Sequence, residues 1–455
     1  MKSIALMLYL SVLCVPVHSL LAQTGANAEV LPSLLGTDGN EQAKAVGPPL
    51  TLSEAERIAL ERNPEIAVAV RRVAMAEAGV PAAGSLDDPE FMYRGWGIPL
   101  SQPQNYNAAQ NMFMFTQALP GRGKRGLRTD IAKSDVSEAR DALDQVRLRV
   151  RVEVRKAFYG LLGAQDEFRI HDEHEAIAKQ AIEAARIRYT VGKVPQQDLL
   201  KAQLELTRLS EHMIRFERDA AIAQARLNTL IGRDPSTPIQ VEGNYGVLTA
   251  LPSEQSLEQQ AIEVRPDLRE AEAAAAKSRQ QQSLAKKAYT PDFTVSAGYM
   301  LMPPSSAMRN SYMVEGSMTL PWLGRRKHDS EIATASAAVT EQDAELAAMR
   351  SKAFDEIKEA LAETGAAQKF AALYQDSLAP QAEATLHAAV VAYENNQSDF
   401  LNLLDSQMAV IDIELARLQA LADFNTHLAE LELASGAPID LVQTKNAPST
   451  VEGKQ

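Results

Sequence analysis

The stretch NMFMFTQALPGRGKR, residues 111–125, joins two kinds of backbone at one point. Its first nine residues are uncharged and largely apolar, which fits a short strand. Pro120 has no N–H to give a ladder, and Gly121 and Gly123 favour a turn. After Lys124 and Arg125 the period changes. Leu143, Val146, Val150, Val154, Ala157 and Leu161 recur at spacings of three and four, one stripe of a helix. No proline or glycine pair interrupts that pattern before Gly192, so about 60 residues at about 1.5 Å each predict a rod of roughly 90 Å. Such a rod must lie against other rods, and the strand on its end must pair elsewhere.

The composition agrees with long packed helices. Aromatic residues make up only 5% of the 455 residues, and the formal net charge of -13 excludes a nucleic-acid partner, which would want a basic surface. Lys2, an apolar run over residues 4–17 and small residues at Ser19, Ala22, Ala26 and Ala28 predict a secretory signal over residues 1–28, cleaved between about 19 and 28. The run is too short for a helical membrane span, which needs about 20 apolar residues. Cys14 is the only cysteine and sits inside that run; Leu13 before it is too large for lipoprotein-type cleavage. With the signal removed, the chain offers neither a disulfide nor a thiolate.

Residues 29–50 predict an extended tail. A helix capped by Thr51 or Ser53 should follow to about residue 83, bent near Pro64 and Pro81, then a strand over 89–98 and a polar loop over 99–109. The rod stops at Val191 to Pro195, and a shorter helix from Gln196 ends on Gly232, before a connector over 233–253. The whole pattern then recurs at an offset of about 200 residues. Asn63-Pro64-Glu65-Ile66 returns as Arg265-Pro266-Asp267-Leu268, and Pro89-Glu90-Phe91 as Pro291-Asp292-Phe293. Leu119-Pro120-Gly121-Arg122-Gly123-Lys124-Arg125 returns as Leu320-Pro321-Trp322-Leu323-Gly324-Arg325-Arg326. Tyr189, Leu199-Leu200, Gln203 and Gly232 match Tyr393, Leu403-Leu404, Gln407 and Gly436. Residues 51–232 and 254–436 are thus two repeats of helix, strand, strand, long helix and shorter helix, with a polar tail over 437–455.

The helix before the strands and the helix after the rod, stacked end to end, match one rod in length, so each repeat predicts two parallel columns. In the second repeat Phe293, Val295, Ala297, Tyr299 and Leu301 alternate with Thr294, Ser296 and Gly298, and Tyr312, Val314, Gly316, Met318 and Leu320 with Met313, Glu315, Ser317 and Thr319. This is the lipid-out, water-in pattern of an outer-membrane barrel, in segments of about ten residues, although an ordinary half-buried hairpin of a soluble domain has the same period. Trp96 and Trp322, near strand ends, are expected in its interfacial aromatic girdle. Four strands cannot close, and an open edge in lipid leaves backbone groups unsatisfied. Several chains must share one barrel. Two would give an interior filled by side chains, and three leave room for a duct.

From about Thr51 to Ile439 the chain resembles the TolC-type outer-membrane efflux family. The two Pro-acidic-Phe strand starts, the two Leu-Pro junctions and the segments from Tyr189 and Tyr393 carry the resemblance through their order and duplication. It implies a mainly α fold with a small β part: a homotrimer whose long helices form a periplasmic tunnel, continued by a shared outer-membrane β-barrel with four strands per protomer. The implied partners are outer-membrane lipid, a periplasmic adaptor and an inner-membrane pump, of RND type, with no cofactor. The tip turns at Tyr189, Gly192, Lys193, Tyr393 and Asn396 are expected to meet the adaptor. Acidic groups just beyond the second turn ring the constriction in that family. The matching positions are Asn402 and Asp405, with Asp399 nearby and Ser398 where some relatives place an arginine. Only Asp405 keeps the acidic type, and three copies of it on an axis would repel one another and attract cations. The Gly-Lys-Arg ending of the first junction is similar to the branch that serves heavy-metal exporters.

Other clusters point less far. His171-Asp172-Glu173-His174-Glu175 has metal-ligand residue types on one helical face, and a solvated polar face is the plainer reading. Met92, Met112, Met114, Met300, Met302, Met308, Met313 and Met318 crowd the strand regions; thioethers suit cuprous ion, yet packing or lipid-facing positions explain them too. No nucleophile elbow, phosphate loop or HExxH is present, so an enzyme is the weakest reading. The cargo is open between metal cations, which the acidic charge and the methionines favour, and drugs or other small molecules. The rival from another class is a periplasmic coiled-coil adaptor or scaffold, whose strands would never see lipid.

Overall fold

The structure is a computed structural model that describes residues 48–98, 100–101, 105–192, 195–246, 250–304, 306–395 and 397–439. The signal-type segment with Cys14, most of the N-terminal tail and the C-terminal tail lie outside the described residues. The first repeat contains α1 (Leu52–Arg62), α2 (Pro64–Gly84), β1 (Glu90–Trp96), β2 (Gln110–Leu119), α3 (Lys124–Thr190) and α4 (Gln196–Leu230). The second contains α5 (Glu254–Val264), α6 (Pro266–Lys286), β3 (Phe293–Leu301), β4 (Ser311–Met318), α7 (Arg325–Leu373), α8 (Ala379–Glu394) and α9 (Phe400–Ser435).

The predicted rod is α3, whose 67 residues span about 100 Å. Its partner in the second repeat is not one uninterrupted α-helix. Pro380, near the start of α8, has no N–H to give the preceding turn, and Tyr374–Leu378 opens into a π turn that lets α7 run on into α8. The helix ahead of the strands is likewise two helices. Asn63 breaks it by capping α2, its Oδ1 accepting the N–H groups of Glu65 and Ile66 at 2.8 and 3.4 Å. Pro64 then fits the first turn of α2, and Pro81 is carried within that helix.

Each break receives the end of the repeat's last helix. Asn63 Nδ2 donates to Leu230 O (3.0 Å) at the end of α4, and Arg265 Nη1 donates to Ala434 O (2.9 Å) at the end of α9. One joint is therefore built twice with different side chains. Gly232 and Gly436 close both helices at positive φ (72° and 81°), and a Cβ on Gly436 would lie 2.7 Å from Arg265 Cα. The largest core cluster surrounds the first joint: Ala55, Ile58 and Ala59 of α1 against Val154, Phe158 and Leu161 of α3, with Leu227 of α4. Leu257, Ala261, Ile357 and Leu431 repeat the arrangement around the second.

The four strands form one antiparallel sheet in the order β1-β2-β3-β4. The register puts Phe91 opposite Phe115, Tyr93 opposite Phe113, Phe113 opposite Tyr299 and Tyr299 opposite Tyr312. Those rings share one exposed side with Val295, Val314 and Met318. The other side carries Arg94, Thr116, Ser296 and Glu315, with Thr116 and Ser296 hydroxyls 2.9 Å apart. The alternation is the predicted one, but Trp96 is not on the aromatic side. It stands five positions beyond Phe91, an odd offset, so the pleat turns it to the side of Arg94. No described helix is long and apolar enough to cross a membrane.

The strand-to-rod junction is a knot between the repeats. Gly121 N–H and Lys124 Nζ both donate to Asp292 Oδ1, at 2.6 and 2.7 Å. A Cβ on Gly121 would lie 2.6 Å from Pro291 O, so only glycine permits that approach. Burial opposes ionisation of Asp292, but the bonds from Lys124 and the Gly121 N–H prevail and hold its carboxyl below the ordinary aspartate range. Asp292 also exchanges backbone contacts with Thr319, its N–H reaching Thr319 Oγ1 and its carbonyl accepting Thr319 N–H, both at 2.9 Å. A single aspartate fastens the end of β2, the start of β3, the end of β4 and the start of α3.

At the first joint Arg155 of α3 donates to Glu56 of α1 and Glu432 of α9, and Glu432 is only 2% exposed. Replacing Arg155 with Met should strand the Glu432 carboxylate and cost about 3–5 kcal/mol. Arg140→Ala, which removes a solvated pair with Glu77, should cost under about 1 kcal/mol. Thermal melting of the purified protein separates the two, and equal losses would reject the buried pair as the anchor.

Candidate functional site

At the end of the rods farthest from the sheet, two turns lie side by side. The α3–α4 turn begins at Gly192, whose φ of 74° and N–H bond to Tyr189 O (2.9 Å) turn the chain. Tyr189 and Gly192 are exposed. Lys193 and Asn396 lie outside the described residues. Beneath the turns Ala185, Ala202, Phe400 and Leu404 form a small buried core. Arg188 lays its guanidinium 4.3 Å from the Tyr393 ring centre, and that ring meets Phe400 at 6.1 Å. A cation over an aromatic face joins the first turn to the second.

The predicted constriction residues separate into two groups. Asp399 is the N-cap of α9, its Oδ1 accepting Asn402 N–H at 2.9 Å, and Asn402 Nδ2 donates to Ser398 Oγ at 2.9 Å. Ser398, Asp399 and Asn402 are thus one capping cluster. Asp405, one turn on, opens instead into a groove between α4 and α9, lined by Glu205, Arg208, His212, Met408 and Asp412. Arg208 is held to Glu205 at 2.9 Å within its own helix.

The residue that sequence reasoning missed is Asp198, in the first turn of α4 and only 4% exposed. Burial, and then the Asp399 charge, push its carboxyl above the ordinary aspartate range, against the pull of Lys201. The repeat contains the signal. Asp198 precedes Leu199-Leu200 as Asn402 precedes Leu403-Leu404, so the carboxylate absent from the second tip stands at the equivalent place in the first.

The histidine cluster of α3 divides between neighbours. His171 bonds Leu209 O at 2.6 Å, and His174 Nε2 lies 3.1 Å from Glu414 of α9. Among the described residues Glu363, His427 and Glu430 come closest to a metal-type cluster, but Lys156 occupies Glu430 Oε1 at 2.5 Å, and an ammonium there opposes a bound cation. The strand methionines do not face the apolar side, apart from Met318. Met92, Met112, Met114, Met300 and Met313 lie with Arg94 and Glu315 on the other.

Comparison with known proteins follows the same two repeats. The profile of the family described as outer membrane efflux protein matches residues 57–233 and 257–437. The chain belongs to the outer membrane efflux protein family. It is 24% identical over 375 residues to the cobalt-zinc-cadmium resistance protein CzcC of Cupriavidus metallidurans, a match covering 82% of this chain and 87% of that protein. Its fold is similar to that of CusC (TM-score 0.72, 17% identity, 90% of this chain and 97% of the other). It is also similar to that of VceC from Vibrio cholerae (TM-score 0.70, 17% identity, 86% and 97%). The protein is therefore an outer-membrane efflux channel component reaching into the periplasm, not an enzyme and not a soluble scaffold. Proteins of this family form trimeric channels that work with an adaptor and an inner-membrane pump.

Because the Asp198 pKa is raised by folding, the neutral acid is the form that the folded tip favours. Its contribution is complete below the unfolded value, near 3.8, and falls as pH rises through the raised one. Amide exchange over residues 196–204, corrected for intrinsic rates, should show protection falling across that window. Asp198→Asn should flatten the dependence, and an unchanged slope would assign the pH response to another group.

Proposed function

We propose that this protein is the exit duct of a metal-cation efflux system, a homotrimer coupled through a periplasmic adaptor to an inner-membrane pump of RND type. The observation that carries the cargo reading is the 24% identity to CzcC, which is named for cobalt, zinc and cadmium resistance. The acidic balance of the chain and the five methionines beside Arg94 and Glu315 lean the same way, since thioethers are soft donors. A wide aqueous duct does not itself choose cargo; the pump does. Deleting the gene should sensitise cells to cobalt, zinc, cadmium or copper. Sensitivity confined to hydrophobic drugs would reject the metal reading and leave the duct intact.

In this reading Tyr189, Gly192, Lys193, Tyr393 and Asn396 present the tip to the adaptor, and the exposed Asp405 supplies the charge of the constriction. Asp399, Asn402 and Ser398 act by fixing the start of α9. Asp399→Ala would remove a helix cap, at about 0.5–2 kcal/mol, so it perturbs folding together with charge. Asp405→Ala is the cleaner test. It should lower cation preference in single-channel recordings, and unchanged selectivity would move the constriction elsewhere.

A further inference from the structure

The outer strands carry charges that find no partner ion within one copy. Glu90 and Arg94 stand on β1, Glu315 on β4 and Arg325 at the start of α7; all four are exposed, and none forms an ion pair among the described residues. Their equivalents on the inner strands show what such residues do. By the repeat, Glu90 corresponds to Asp292 and Arg325 to Lys124, the two halves of the knot that fastens β3 to β2.

We propose that the same knot is tied a second time between copies, with Glu90 of one chain held by Arg325 of its neighbour, and that it sets the register of β4 against β1. The pairing of β2 with β3 dictates the alignment. Leu119 faces Phe293 and Gln117 faces Val295, so the repeat puts Phe91 opposite Leu320, Tyr93 opposite Met318 and Gly95 opposite Gly316 of the neighbouring copy. Three independent features agree with that alignment. Phe91, Tyr93, Leu320 and Met318 all belong to the exposed apolar side, so the lipid face runs on unbroken across the seam. On the other side Arg94 becomes the diagonal neighbour of Glu315, which pairs the two remaining charges. The side chains also compensate in size. Trp322 replaces Gly121, so the close approach that glycine permits is lost, and each charged partner is longer, Glu for Asp and Arg for Lys.

The inference rests on the shared barrel and not on the cargo. Its first test uses cysteines in full-length protein in which Cys14 is replaced by serine. Residues directly opposite on antiparallel strands have Cα atoms about 4.5–5.5 Å apart, within disulfide range. Tyr93→Cys with Met318→Cys should therefore give covalent dimers and trimers on oxidation. Tyr93→Cys with Val314→Cys, offset by four residues, should give few. Cross-linking through Val314 instead, or none in a particle of trimer mass, would overturn the register. The second test is charge exchange: Glu90→Arg and Arg325→Glu should each lower the temperature at which the trimer dissociates, and the double exchange should recover most of the loss. A double variant no better than the singles would overturn the knot, whereas drug-only sensitivity of a deletion strain would leave it standing.

Discussion

A four-stranded sheet in lipid has two edges, and every unpaired N–H and C=O along β1 and β4 costs free energy there because no water can satisfy it. That constraint shapes the rest of the molecule. In the trimeric channels of this family it is met by copies completing one another's sheet, and strands arranged around an axis carry the rods attached to them around it too. The small residues of the helix contacts, Ala185, Ala202, Ala261 and Ala360 among them, let the rods approach closely enough to form a wall. The barrel thus organises the helices through Asp292 and Lys124, which bind strand and rod as one body.

The joints show how a duplicated fold tolerates divergence. Leu230 and Ala434 offer the same carbonyl at the end of α4 and of α9, and Asn63 and Arg265 answer it with unrelated side chains. The amide works locally, capping α2 as well. The guanidinium reaches farther and recruits Asp267 and Glu356, so the carbonyl of the second joint meets a charged donor where that of the first meets a neutral amide. What persists is the backbone requirement, an orphan carbonyl at a helix end that must find a donor.

The parts legible in the sequence are those with a period or a duplicate. Strand alternation, the length of α3, the two junctions and the helix ends at Gly232 and Gly436 follow from spacing alone. Details decided by a three-dimensional neighbour were harder to read. Pro380 lacks the N–H that an α-helix needs, and the chain absorbs it as a π turn while α9 packs against α7, the π turn and α8 alike. Asp399 has the residue type of a constriction charge, and the bond it accepts from Asn402 N–H adds that it caps α9. Trp96 and Asp198 were within reach: counting the pleat from Phe91 turns the first inward, and laying one tip on the other exposes the second.

The central pair of strands has a consequence for how the chain comes to be folded. β2 and β3 meet across a sequence separation of 180 residues at Thr116 and Ser296, whereas β1 meets β2 across only 24 at Phe91 and Phe115. The first hairpin is thus ready long before its neighbour exists. Sheets built on such distant pairings form slowly, and an apolar strand waiting with a bare edge is a template for aggregation. The duplication that makes the fold symmetric also gives it a vulnerable interval, during which Phe113, Phe115 and Tyr93 need shelter that the molecule cannot yet supply for itself.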